Sequence, residues 1–298
     1  MTNDDRANTE NRASTDNGNA RTALVFPGQG AQKQGMGEVW REAESWPLVA
    51  GISEHTGVDV EDLLLKADDE TLRRTDLAQI AVFTTEVLAH REAVAAGVLG
   101  EVVACAGHSL GEYTALYAAG ALSLADAARL VAARGRAMRV CAERSPGTMA
   151  AVVRLDASTV EALAARAQEA GEELWVANVN APGAIVVSGT AEGVARLGES
   201  AVESGGKVIP LKVGGAFHSP RMADAAAELE AALTAVEFAA EHMPVVANVD
   251  AHAYTDGGRW RTWSCVSSPA RCAGRNASAR SPVSSAAPAS WSSAPAAS

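Results

Sequence analysis

The sequence predicts an α/β fold in two parts, a larger layered body and a smaller unit inserted into it. Three features carry that expectation. The 298-residue chain is rich in Ala, Val and Leu and only 4% aromatic, a composition suited to Ala-rich helices layered on short aliphatic strands. Glu101 to Ala106 reads as an apolar strand running into Gly107-His108-Ser109-Leu110-Gly111, then into good helix formers as far as Gly120. From Gly147 to Val213 the order is strand, helix, two hairpin strands, helix, strand, which is the ferredoxin-like order.

Taken in order, residues 1–20 hold Asn, Asp, Thr and Arg with almost nothing apolar, and are expected to be a disordered tail. Thr22 to Phe26 reads as a short buried strand leading into Pro27-Gly28-Gln29-Gly30-Ala31-Gln32. Two glycines around a glutamine suit a backbone loop shaped to approach a ligand; an ordinary strand-to-helix turn fits equally well. Met36 to Leu99 is helical in pattern, and the apolar face of Gln79 to Leu88 reads as core packed under the serine turn. Asp126 to Met138 is a further helix with Ser123 as its N-cap. It carries Arg129, Arg134, Arg136 and Arg139, and spacing alone picks none of them out.

The Gly107–Gly111 stretch carries the chemistry. A sharp turn from strand to helix brings the backbone close to itself, so side chains at the two glycines would clash. The turn would present the Ser109 hydroxyl at a helix N-terminus, where free N–H groups favour developing negative charge, and the amide of Leu110 would be a natural oxyanion donor. A tight turn with an incidental serine is the plainer reading. In the inserted unit, strands at 148–153, 174–179, 184–189 and 207–211 alternate with helices at 157–170 and 190–204, and Asn180-Ala181-Pro182-Gly183 is the hairpin turn. After it comes Gly214-Gly215-Ala216-Phe217-His218-Ser219-Pro220, ahead of a helix from Arg221 to Val236. A histidine in such a loop is often merely exposed; in a chain with a candidate nucleophile, His218 is the candidate general base. His108 competes, but its place beside Ser109 on the turn points its ring away.

Charge and composition exclude other classes. A net charge of −11 with no sustained basic stripe argues against a nucleic-acid binder. No apolar run reaches membrane-spanning length and the N-terminus lacks a secretion-signal layout, so a cytoplasmic protein is expected. Cys105, Cys141, Cys265 and Cys272 have neither zinc-site pairing nor disulfide-framework density, and read as unpaired thiols.

Together, Phe26-Pro-Gly-Gln-Gly-Ala-Gln32, Gly107-His-Ser-Leu-Gly-Glu-Tyr113, Arg134-Gly-Arg-Ala-Met138, Gly147-Thr-Met-Ala150, Asn178-Val-Asn-Ala-Pro-Gly183 and Ala216-Phe-His-Ser-Pro220 resemble the malonyl-CoA:acyl carrier protein transacylase family, including the acyltransferase domains of polyketide synthases. The resemblance spans roughly residues 21–260. It implies an α/β-hydrolase-like core (21–146 and 214–260) with a ferredoxin-like small domain (147–213), and a site in the gorge between them. It implies Ser109 as the nucleophile taking the malonyl group and His218 as the base. It also implies the amides of Gln29 and Leu110 as the oxyanion hole, Arg134 as the partner of the malonyl carboxylate, and Asn180 lining the pocket. The implied reaction is ping-pong transfer to the phosphopantetheine thiol of acyl carrier protein by a monomer with no cofactor or metal of its own. A serine esterase or thioesterase on the same turn, or a catalytically impaired docking relative, are the alternatives.

Two departures stand out. Family members usually carry glutamine where this chain has Ala184. Beyond Trp260 the resemblance stops, and residues 261–298 contain no Leu, Ile, Phe, Lys, Asp or Glu. That segment is expected to be an aberrant low-complexity tail, translated out of frame.

Overall fold

A computed structural model describes residues 21–262 of the chain; the tail expected at 1–20, and all but the first two residues of the one expected at 261–298, lie outside the described residues. Strand β1 (Arg21–Phe26) opens the fold, followed by helices α1 (Leu48–Thr56), α2 (Val60–Leu65) and α3 (Thr75–Ala95), strand β2 (Glu101–Gly107), and helices α4 (Gly111–Ala118) and α5 (Leu124–Arg144). Next come β3 (Thr148–Val153), α6 (Ala157–Glu169), β4 (Leu174–Ala181), β5 (Ala184–Gly189), α7 (Ala191–Glu203) and β6 (Lys207–Pro210). Helix α8 (Ala223–Leu233), β7 (Glu241–Val246), β8 (Ala253–Asp256) and α9 (Gly257–Thr262) return to the first part. Helix α9 ends two residues past the boundary expected at 260.

The strands form two sheets among the described residues, ordered β1-β2-β7-β8 and β4-β5-β3-β6. In the first, β1 and β7 flank β2 in parallel and β8 closes antiparallel on β7. The second is antiparallel throughout. It is laid down between the two halves of the first, so its chain leaves after α5 and comes back before α8. Local chemistry sets the helix starts: Ser123, Asp156 and Thr190 each accept, through a side-chain oxygen, the amide three residues on.

Strand β1 is not the buried strand that its apolar run suggests. It lies at a sheet edge with only Phe26 buried, and Val25 on its outer side is 55% exposed. An edge strand has one flank without a partner strand, so apolar character alone does not place it inside. Helix α3 is covered on nearly every side: Ile80, Ala81, Val82, Phe83, Val87 and Leu88 pack into one cluster with Leu110, Tyr113, Leu116 and Leu130. That cluster is the floor beneath the serine turn. A second cluster joins the two parts, with Ala137, Met138 and Cys141 of α5 packed against Met149, Val186 and Phe217. The helix expected over 221–236 is shorter, because a 3-10 turn at Pro220–Met222 precedes α8.

Candidate active site

The turn after β2 is built as its glycines require. A Cβ on Gly107 would lie 1.9 Å from the carbonyl carbon of Gly111, and one on Gly111 would lie 2.3 Å from the Phe26 carbonyl oxygen. Only glycine permits that approach. Ser109 itself sits at φ 52, in the left-handed region that a side chain disfavours, and His218 does the same at φ 56. Non-glycine residues held there concentrate at functional sites.

Those two strained residues meet. Ser109 Oγ lies 3.0 Å from His218 Nε2, so a ring protonated on Nδ1 accepts the hydroxyl proton. Burial foremost, with the charge of Arg134 and then His108, lowers the His218 pKa to about 3. The ring is therefore neutral, as a base must be, across the physiological range. Ser219 fixes the loop by donating its hydroxyl to the Ala216 carbonyl at 2.6 Å.

Arg134 completes the constellation. It is only 2% exposed, and its Nη2 donates to Ser109 Oγ at 2.8 Å while Nη1 donates to Gln79 Oε1 at 2.6 Å. The guanidinium also stands 5.8 Å from the centre of the Tyr113 ring. A buried cation touching the candidate nucleophile singles Arg134 out from its neighbours, of which Arg136 is exposed and Arg139 is engaged with Asp76 and Glu143.

The amides of Gln29 and Leu110 form no hydrogen bond with any described residue, which leaves both able to donate to a substrate. The Gln29 side chain donates from Nε2 to Thr75 Oγ1 at 3.4 Å. Asn180 does not reach Ser109 directly. Its Oδ1 bonds His108 Nε2 at 3.1 Å, so the two line the rim where the β4–β5 hairpin meets the turn. The His108 ring thus faces that hairpin. Among the described residues there is no cluster of His, Cys, Asp and Glu able to hold a metal, and no helix long and apolar enough to cross a membrane.

Three residues of this site escape sequence reasoning. Gln79, fully buried, lies within the helix stretch read as core, yet it orients the guanidinium. Asn248, just past β7, accepts the Ser109 amide on Oδ1 at 3.1 Å and donates Nδ2 to the Gly107 carbonyl at 2.7 Å. Glu112, three residues after the serine, accepts the Asn248 amide at 2.8 Å. Its carboxyl is pushed up to about 7 by burial, against the opposing pull of Asn248 and Arg134. Gln79 is the one polar residue in the run Leu77 to Phe83, which is the available signal; Asn248 offers none before β7 is known to lie beside β2.

Known proteins share both the sequence and the shape. Residues 23–272 match the family described as acyl transferase domain. The malonyl CoA-acyl carrier protein transacylase of Bacillus subtilis is 38% identical over 240 residues, 80% of this chain and 75% of that protein. The protein of that name from Escherichia coli K12 is 38% identical over 241 residues, 79% of this chain and 76% of its own length. Among solved structures, the malonyl-CoA:acyl carrier protein transacylase of Xanthomonas oryzae aligns at a TM-score of 0.76 and 38% identity, covering 82% of this chain and 78% of that one. A malonyl-transacylase solved in complex with a type II polyketide synthase acyl-carrier protein aligns at 0.76 and 31% identity, covering 85% and 81%.

Proposed function

The chain belongs to the acyl transferase domain family, and on that premise we propose that it moves a malonyl group from malonyl-CoA to the phosphopantetheine thiol of acyl carrier protein. One observation carries the choice of acyl group: the buried Arg134 guanidinium donates to the nucleophile's own oxygen at 2.8 Å. An acyl chain esterified to that oxygen and ending in a carboxylate meets a planar fork suited to bidentate pairing. A neutral acyl group has nothing to offer it.

The steps balance without a cofactor of the protein's own. Ser109 Oγ attacks the thioester carbonyl as its proton passes to His218 Nε2, and the amides of Gln29 and Leu110 stabilise the oxyanion. Collapse breaks the C–S bond, the coenzyme A sulfur takes the proton back from His218, and a malonyl ester remains on Ser109. The carrier thiol then gives its proton to His218 and repeats the sequence in reverse. Water has to be kept from the ester for transfer to prevail over hydrolysis. Phe217, 4% exposed beside the base, limits room for an α-methyl group, so methylmalonyl-CoA is a poor donor in this reading.

The architecture is read in the same way. Parallel β1, β2 and β7 with the serine turn on the central strand support an α/β-hydrolase-like core. The antiparallel order β4-β5-β3-β6, with α6 and α7 as its crossovers, supports a ferredoxin-like insertion.

Incubation with radiolabelled malonyl-CoA and carrier protein tests the function. Label on the carrier protein is the expected result. Label released as malonate would make the chain a hydrolase, and label that stays on coenzyme A would make it a catalytically impaired relative.

A further inference from the structure

The mechanism above uses Ser109, His218 and Arg134 but leaves unexplained what holds the serine in its strained conformation. At φ 52 the Ser109 backbone does not stay in place by local preference, so the surroundings must fix it. Two flanking hydrogen bonds do so from a distant part of the chain. Asn248 lies beyond the end of β7, the strand whose Val245 and Val246 pair in parallel with Cys105 and Ala106 of β2. From there its single amide group reaches both sides of the turn. Oδ1 takes the Ser109 N–H at 3.1 Å and Nδ2 gives to the Gly107 carbonyl at 2.7 Å.

The direction of these bonds matters for chemistry. With its N–H drawn to Asn248, Ser109 contributes only its hydroxyl to the site, and the peptide between His108 and Ser109 has one orientation. That orientation in turn aims Oγ at His218 and Arg134 and sets the direction of the next amide, that of Leu110. Glu112 holds Asn248 in its turn. It lies one turn along from Ser109 in α4, 2% exposed, and accepts the Asn248 main-chain N–H at 2.8 Å. A carboxylate acceptor makes that bond charge-assisted.

We infer that Asn248, supported by Glu112, is the positioning residue of the nucleophile turn, setting the reactivity of Ser109 without touching the acyl group. The inference rests on the reading of Ser109 as the acyl-accepting residue. It implies a split in kinetics. Carboxylate recognition belongs to Arg134 and Gln79, so loss of Asn248 slows acylation and leaves the half-saturating malonyl-CoA concentration alone. A misplacement of about 1 Å at a reacting atom costs on the order of 10²-fold, so a loss of roughly 10- to 100-fold is expected for Asn248→Ala.

A pH readout follows for Glu112, whose carboxyl titrates at about 7 while His218 titrates far below. The groups facing it are the Asn248 amide, Arg134 of α5, which favours its ionised form, and Asp250, which opposes it. Acylation should therefore fall several-fold on acidification through that value, and Glu112→Gln should abolish the dependence.

Two rates are measured on the full chain: acylation by malonyl-CoA, and phosphonylation of Ser109 by a small fluorophosphonate, which needs no carboxylate. Both should drop together in Asn248→Ala, with an unchanged half-saturating malonyl-CoA concentration. Asn248→Asp, which keeps the acceptor for Ser109 but sets an oxygen against the Gly107 carbonyl, gives the same comparison should the alanine variant not fold. A folded variant phosphonylated and acylated at the wild-type rate overturns the inference, as does a raised half-saturation with wild-type phosphonylation. A wild-type profile flat through neutrality removes Glu112 from it. Should malonyl-CoA not acylate even the wild-type chain, the fluorophosphonate arm still decides on Asn248, and the functional reading fails alone.

Discussion

In the proposed reaction, replacing Arg134 with alanine should separate binding of the acyl group from activation of the serine, because its guanidinium touches Ser109 Oγ and is the group set to meet the acyl carboxylate. It is buried, 2.8 Å from Ser109 Oγ and 2.6 Å from Gln79 Oε1, in surroundings where a carboxylate arriving with the substrate would be largely desolvated. Removing one partner of such a pair costs about 3–5 kcal/mol. The lower part of that range applies, since the vacated space admits water, and it corresponds to a loss of about 10²–10³-fold in malonyl transfer. Acetyl transfer should behave differently. An acetyl group has no carboxylate to lose, and its methyl no longer faces a buried cation, so its rate should hold or rise.

A change in pH dependence should accompany this. After burial, the Arg134 charge is the largest cause lowering His218 to about 3. With that charge gone the histidine moves up toward its ordinary value, and protonation inactivates the base as pH falls through the new pKa. The acid limb of the variant should therefore lie at higher pH than any His218 limb of the wild type. Stopped-flow acylation with malonyl-CoA and acetyl-CoA, checked by intact mass, gives both rates across pH. Equal loss with the two donors, and an unmoved acid limb, would show that Arg134 only supports the fold and plays no part in choosing the acyl group.

Other outcomes follow from the same geometry. Ser109→Ala should form no acyl-enzyme by intact mass, while His218→Ala should form it about 10²–10⁴-fold more slowly. Glu86, raised to about 8 mainly by burial, accepts the Thr114 hydroxyl on one oxygen while the other has no partner among the described residues. Its folded pKa exceeds the unfolded one, so its contribution is full below about 4.5 and is lost as pH rises through about 8. Glu86→Gln should thus flatten the fall of the melting temperature between about pH 4.5 and 8 and add stability above that range of order a few kcal/mol. For the acidic carrier protein, Arg136→Glu or Arg144→Glu on the exposed side of α5 should raise its apparent KM and leave coenzyme A kinetics alone. Arg139→Glu should instead cost stability, seen as a lower melting temperature, because Arg139 is paired with Asp76 and Glu143.

The contrast between Ser109 and Asn248 shows where sequence reasoning reaches and where it stops. The serine turn is legible because its requirements are local: two glycines at fixed offsets, an apolar run before and helix formers after. The capped starts of α5, α6 and α7 are local in the same way, and so is the hairpin at Gly183, which takes φ 73. His218 is half legible, since a loop histidine gains meaning only from a nucleophile elsewhere in the chain. Arg134 is invisible to periodicity, because four arginines share its stretch of helix and only the position of α3 decides which one is buried. Asn248 lies furthest out of reach. The strand before it, Glu241–Val246, contains Pro244 and pairs with β2 through two residues only, so nothing in its own stretch announces a strand. Yet that pairing is what carries Asn248 to the turn, 139 positions from the serine whose amide it holds. Local patterns thus specify the candidate reacting groups, while groups bonded to them, such as Asn248, come from contacts that close only when the sheet does. A survey of variants guided by motifs alone would therefore find Ser109 and His218, reach Glu112 with no role to give it, and pass over Gln79 and Asn248, which are bonded to motif residues for reasons that the motifs do not contain.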